Sequence, residues 1–200
     1  SDYSIFLRYL VVNCFRHYAK HRGTDKVGFR LNGVSDYAWE DFSVKLTAED
    51  TDYIKKAFNI YIEPIRYSSV IEAVQKAIDL NNNELLKNKV QYYDYSKRVD
   101  RDFKKIKALN YHITLSHGSK HDTFKKALEL GLNYAAAFNL KKSQDLPKQF
   151  THKGIKLNVI DGDITDYRPL DNNNKTNIVG LHFKIVVNKD NAKKLDFCIA

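Results

Sequence analysis

Between Asn110 and His117 the sequence runs Asn-Tyr-His-Ile-Thr-Leu-Ser-His, and its β-branched and aromatic content makes this stretch a strand. Successive side chains of a strand face opposite ways, so His112, Thr114 and Ser116 share one side while Ile113, Leu115 and His117 share the other. A polar row backed by an apolar row suits a sheet with one face on a core and one face lining a groove. The segment Ile178 to Val187 repeats the pattern, setting His182 and Lys184 against Leu181, Phe183 and Ile185. Two such strands constrain the chain to a fold in which a sheet carries both histidine rows.

The intervening sequence supplies helices to cover that sheet. Residues 3 to 20 carry Ile5, Phe6, Tyr9, Leu10, Val12 and Cys14 at helical spacing, with Gly23 as a stop. A short helix is expected over Ala48 to Phe58, with acidic residues in its first turn. Asn59 to Ile65 reads as a strand that Pro64 pushes to an edge, and Ser69 with Glu72 forms a capping box for a helix ending near Asn81-Asn82-Asn83. Further helices are expected over Tyr95 to Ala108 and about Asp122 to Leu132. Ile155 to Tyr167 reads as a hairpin turning at Asp161-Gly162. The expected fold is α/β (α+β), with a mainly antiparallel sheet lining a central groove and helices on its flanks. Residues 1–57 are expected to form a helical extension and residues 58–200 the domain proper, either as separate parts or as one compact unit.

Two hundred residues, 43% of them hydrophobic, suffice for one substantial core without disulfides or structural metal. Cys14 and Cys198 show neither a disulfide pattern nor ligand spacing, which favours a reducing compartment, cytoplasm or nucleus. No run approaches the ~20 apolar residues of a membrane span. The chain has no Met, as expected of a processed chain or a segment of a longer one. Its 33 Lys and Arg against 24 Asp and Glu give a formal charge of +9, which draws phosphate-bearing partners by long-range attraction.

Cleaving a phosphodiester without metal needs one group to accept a proton from the attacking oxygen and another to donate one to the leaving oxygen, and two histidines titrating near neutrality meet that need. A donor two residues along each strand would hold the non-bridging oxygens, Thr114 by its hydroxyl and Lys184 by its ammonium. Tyr111 and Ser116 are accessory candidates, and Tyr111 and Tyr167 are candidates for stacking on a base.

On these residues the chain resembles the 2H phosphoesterase superfamily, defined by two His-x-Thr/Ser motifs on neighbouring strands, and within it the cyclic phosphodiesterase domain of fungal and plant tRNA ligases. His112-Ile-Thr-Leu-Ser-His117 resembles the first motif, and His182-Phe-Lys-Ile stands in the order of the second, with Lys184 where that family has Thr or Ser. The likeness covers about residues 58 to 195. It implies hydrolysis of a 2′,3′-cyclic phosphate on an RNA end or nucleotide to a 2′-phosphate, without metal or organic cofactor. His112 and His182 would share the acid and base roles in either order.

Two other classes fit parts of the sequence. Lys184 suits a 2H-like module that binds RNA ends or nucleotides without turnover. His117-Gly118-Ser119 resembles the first motif of ADP-ribosyltransferases of the poly(ADP-ribose) polymerase type, which implies an NAD-binding domain. Only 83 residues follow His117, and no Tyr and Glu motifs come after it in that family's order.

Overall fold

Thr47, Ser69 and Asp122 each precede a helix and supply the side-chain oxygen that its first amides need. The computed structural model describes residues 2–21, 23–24, 26–81, 90–118, 121–171, 175–183 and 199. Thr47 accepts from the Asp50 amide while the Asp50 carboxylate takes the Thr47 amide, a complete capping box. At Ser69 the box is displaced: Ser69 accepts from the Glu72 amide at 3.0 Å, but Glu72 reaches back to the Ser68 amide at 2.5 Å. The described helices are α1 (Asp2–His21), α2 (Ala48–Phe58), α3 (Val70–Leu80), α4 (Phe103–Ala108) and α5 (Thr123–Leu130). Among the described residues no helix is long and apolar enough to cross a membrane.

Among the described residues nine strands accompany them: β1 (Val27–Phe29), β2 (Val44–Lys45), β3 (Arg66–Tyr67), β4 (Val90–Ser96), β5 (Tyr111–Ser116), β6 (Tyr134–Phe138), β7 (Gln149–His152), β8 (Ile155–Asp161) and β9 (Ile178–His182). Seven form a mixed sheet in the order β1-β4-β5-β6-β9-β8-β7, and β2 pairs with β3 apart from it. The pairs β1 with β4, β5 with β6, β6 with β9 and β8 with β9 are parallel, while β7 with β8 is antiparallel. The fold is therefore α+β with a mostly parallel sheet, which corrects the expected mainly antiparallel one. The physical reason lies in the connections. Successive strands are joined by crossovers long enough to return the chain to the same end of the sheet, α5 between β5 and β6, and a loop with a 3-10 turn at Arg168–Leu170 between β8 and β9.

Local expectations shift accordingly. Residues 59–65 do not form a strand, because the Asn81 side chain takes the place of a ladder partner for Tyr61, accepting from its amide at 3.0 Å and donating to its carbonyl at 2.8 Å. The expected long helix from Tyr95 shortens to α4, capped by Asp102, since Tyr95 belongs to β4. The hairpin sits earlier than expected. Lys153 (φ 49°) and Gly154 (φ 80°) make the two-residue turn between β7 and β8, and Asp161-Gly162 instead closes a strand that runs parallel to β9. Lys184, Ile185 and the rest of the expected final strand lie outside the described residues, as do Ser119 and Cys198.

The chain forms two compact units, Ser1–Tyr93 with Asp102–His112, and Asp94–Arg101 with Ile113–Ala200. In the first, α1 buries Leu7, Val11 and Phe15, and α3 buries Val70, Ile71, Ala73, Val74, Ala77 and Ile78. Arg8 of α1 fixes the start of α2 by donating to both Asp50 oxygens at 2.6 and 2.8 Å. Cys14 is buried beside Tyr92, and burial pushes its thiol up to about 12, so it stays protonated and unreactive at neutral pH.

In the second unit every residue of β6, Tyr134-Ala-Ala-Ala-Phe138, is buried. The β7–β8 hairpin packs its inner side chains on this strand's aromatic ends: Phe150 meets Phe138 edge-on at 5.2 Å between ring centroids, and His152 stacks on Tyr134 at 5.7 Å. Glycines make room where β8 passes β9. A Cβ on Gly162 would sit 2.7 Å from Leu181 Cδ2 and Val179 Cγ1, and 3.0 Å from the Gly180 carbonyl oxygen. Gly162→Ala is expected to cost about 1–3 kcal/mol of stability through this overpacking, measured by urea unfolding; a value within error of wild type would show that the strands can spread.

Candidate functional site

The sequence-predicted residues fall in different surroundings. His112 is the second residue of β5, half-buried, in the first unit. Tyr111 is 3% exposed and serves that unit's core, leaving no ring surface for a base. Thr114 is fully buried, so its hydroxyl does not face a groove, while Ser116 is half-buried and gives its carbonyl to the Thr123 hydroxyl at 2.9 Å. His182 ends β9 in the second unit. The sheet order puts β6 between β5 and β9, so the strands carrying the two histidines are not neighbours.

His182 has a fully defined environment. Its Nδ1 donates to Asp163 Oδ2 at 2.8 Å, its backbone amide donates to the same oxygen at 2.8 Å, and its Nε2 donates to the Gln144 carbonyl at 2.7 Å. A carbonyl oxygen only accepts, so Nε2 carries a proton, and a carboxylate facing Nδ1 calls for a proton there too. The ring is thereby held as an imidazolium. The Gln144 carbonyl and the Asp163 carboxylate raise its pKa above the usual histidine value, aided by the charges of Asp163 and Asp161. The carbonyl it holds belongs to a turn over Lys141 to Gln144, closed by the Gln144 amide on the Lys141 carbonyl at 2.9 Å and by the Lys141 amide on Gln144 Oε1 at 2.9 Å. Lys141 and Lys142 are exposed on this turn. The turn, Asp163 and His182 all follow or end strands of the parallel set β6, β8 and β9 at their carboxyl ends, where open parallel sheets place their ligand sites.

A second cluster gathers around His117, just past β5. His117 Nδ1 lies 2.6 Å from the Tyr134 hydroxyl, which also hydrogen-bonds the Thr123 side chain, whose hydroxyl donates to the Ser116 carbonyl. A carbonyl only accepts, so the Thr123 hydroxyl donates to Ser116, while the Tyr134 hydroxyl shares a hydrogen bond with His117 Nδ1. Burial holds the Tyr134 phenol up to about 12, which keeps the phenol itself protonated at neutral pH. His152 stacks on Tyr134 and meets Phe124 and His117 edge-on at 4.6 and 5.8 Å. Burial, then the neighbouring His117 and Lys153, lower its pKa, and its Nε2 is buried without a hydrogen-bond partner among the described residues. At the hairpin tip Lys153 pairs with Asp122, the α5 cap, at 3.0 Å. His117 is thus set in an aromatic and hydroxyl network.

Sequence reasoning named His182 but missed its partners Asp163 and Gln144. The Asp161-Gly162-Asp163 run was the available signal, since a carboxylate placed between two strands in sequence can reach the end of either. Nothing marked Gln144, which acts through its backbone. Among the described residues no three His, Cys, Asp or Glu side chains converge where a metal ion could sit.

The model of the family described as Gene product 88 matches residues 6–200, nearly the whole chain. The chain belongs to the Gene product 88 family. No curated protein and no solved structure matches it. In this family member the fold alone therefore transfers no activity from elsewhere, and function is argued from the site.

The two buried-edge histidines should respond to pH with opposite signs. His182 has a raised folded pKa, so its contribution to stability is fully present below the unfolded value near 6.5 and is lost as pH rises through the folded pKa. The stability gap between wild type and His182→Gln is expected to be widest near pH 5.5 and to narrow towards pH 9. His152 has a lowered folded pKa, so wild type loses stability as pH falls below about 6.5, and His152→Phe should remove that loss. Chemical denaturation across pH 5 to 9 reads both; parallel curves for wild type and variants would refute the assignments.

Proposed function

We propose that this chain recognises a phosphate-bearing ligand, a nucleotide or an RNA end with a cyclic phosphate, and holds it without hydrolysing it. The observation that carries this reading is the engagement of both ring nitrogens of His182. Two-histidine hydrolysis requires each imidazole to exchange a proton with the ligand. An imidazolium that gives one N–H to Asp163 and the other to Gln144 has no lone pair to accept a proton and both donors committed. Its charge is met by Asp163, and its role is to clasp the turn that presents the exposed cations Lys141 and Lys142. The formal charge of +9 adds long-range attraction for the same ligands.

The test is calorimetric titration of the intact chain with adenosine 2′,3′-cyclic phosphate, run beside a hydrolysis assay on the same compound. Binding without turnover above the buffer rate is expected. The double variant Lys141→Ala/Lys142→Ala should bind about tenfold more weakly, on the order of 1.4 kcal/mol, and added salt should weaken wild type more than the double variant. Turnover that disappears in His112→Ala or in His182→Ala would overturn this reading and restore the phosphodiesterase.

A further inference from the structure

The β7–β8 hairpin has two unlike faces. Its inner face, with Phe150 and His152, is consumed by the contacts to Phe138 and Tyr134. The register pairs Gln149 with Asn158 and Thr151 with Lys156, and strand alternation puts both pairs on the opposite, outer face. Gln149, Thr151 and Lys156 are exposed and Asn158 is half-buried. The two amides are aligned with each other, Gln149 Nε2 donating to Asn158 Oδ1 at 3.1 Å. Within the sheet β7 is an edge strand. The surrounding sequence is strongly basic, with five lysines against one aspartate from Lys141 to Asn158.

We propose that this hairpin is a β-ribbon that enters the major groove of duplex DNA. A two-stranded ribbon fits a groove about 12 Å wide. The outer face presents the chemistry that reads base edges there. An amide acceptor and an amide donor side by side match the N6 donor and N7 acceptor of adenine, and a lysine ammonium matches the O6 and N7 acceptors of guanine. Gln149 and Asn158 form the amide rung, Lys156 with Thr151 the cationic rung, and exposed Lys148 at the start of the ribbon meets the phosphate backbone. Edge strands often carry lysine only to discourage pairing with other chains, but that role calls for no aligned amide pair beside the lysine. A-form duplexes close the deep groove to such a ribbon, so duplex RNA is a poor partner. The surface does not use His182, and the proposal stands apart from the binding of a cyclic phosphate.

Fluorescence anisotropy of the intact chain tests it, with a labelled DNA duplex of about 20 base pairs, one of its single strands, and duplex RNA of the same sequence. Duplex DNA is expected to bind at least about tenfold more tightly than either competitor. Lys148→Ala should flatten the slope of log affinity against log salt by about one. Gln149→Ala/Asn158→Ala should narrow the spread of affinities among duplex sequences about tenfold and leave the salt slope unchanged. Lys148 and Gln149 are exposed and Asn158 is half-buried, and unchanged thermal melts would confirm folding. Equal affinity for duplex RNA, equal affinity for the single strand, or wild-type DNA binding by both variants would overturn the proposal. Cyclic phosphate binding measured on the same variants should be unaltered, which separates a failure of the ribbon from a failure of the phosphate site.

Discussion

The second unit is organised around one buried strand. Tyr134-Ala-Ala-Ala-Phe138 is covered on both faces and paired in parallel on both edges, with β5 on one side and β9 on the other. A strand in that position can satisfy its backbone only by ladder bonds and can carry side chains only as large as the layers above and below permit. The three alanines let those layers approach, and the aromatic residues at each end meet what approaches. Phe138 receives Phe150 and Tyr134 receives His152, so the hairpin's position follows from the spacing of bulk along β6.

The same strand shows why only part of the molecule was legible beforehand. Helices announced themselves through boundary residues and periodicity: Ser69 opens α3, Glu49 and Asp50 mark the first turn of α2, and Gly131, at φ 66°, closes α5 where only a residue tolerant of that conformation is comfortable. An alanine run between a helix and a loop carries almost no strand signal, because alanine has low β propensity and a strand buried on both faces shows no alternation. With β6 unmarked, β5 and β9 look like neighbours, and their two histidine rows look able to meet. The hairpin slipped for a related reason. Lys153-Gly154 and Asp161-Gly162 are both two-residue turn candidates, and only the pairing of β8 on its two edges decides between them.

The candidate site illustrates what residue type alone leaves open. A histidine with one nitrogen against a carboxylate and the other facing solvent is a proton carrier; the same histidine with a backbone carbonyl on its second nitrogen is a cation and a clasp. In His182 the difference rests on the Gln144 carbonyl, a group present in every residue and visible only once the turn is placed. The clasp in turn sets where Lys141 and Lys142 stand. Charge, position and rigidity at this edge of the sheet are thus one arrangement, built from an imidazole, a carboxylate and a main-chain oxygen.

The pairing of β6 with β9 has a consequence for how the chain acquires its structure. Asn133 and Asn177, 44 residues apart, are joined by side-chain and amide bonds at the foot of these strands. Closing a loop of that length must precede any reward from the ladder, and parallel pairings of this kind slow folding. The first unit draws on no residue beyond His112, whereas the second cannot close until β9 has been made. During synthesis β6 is therefore made well before its partner β9, and the apolar edge of that strand, exposed in the interval, is the stretch most in need of protection from other chains.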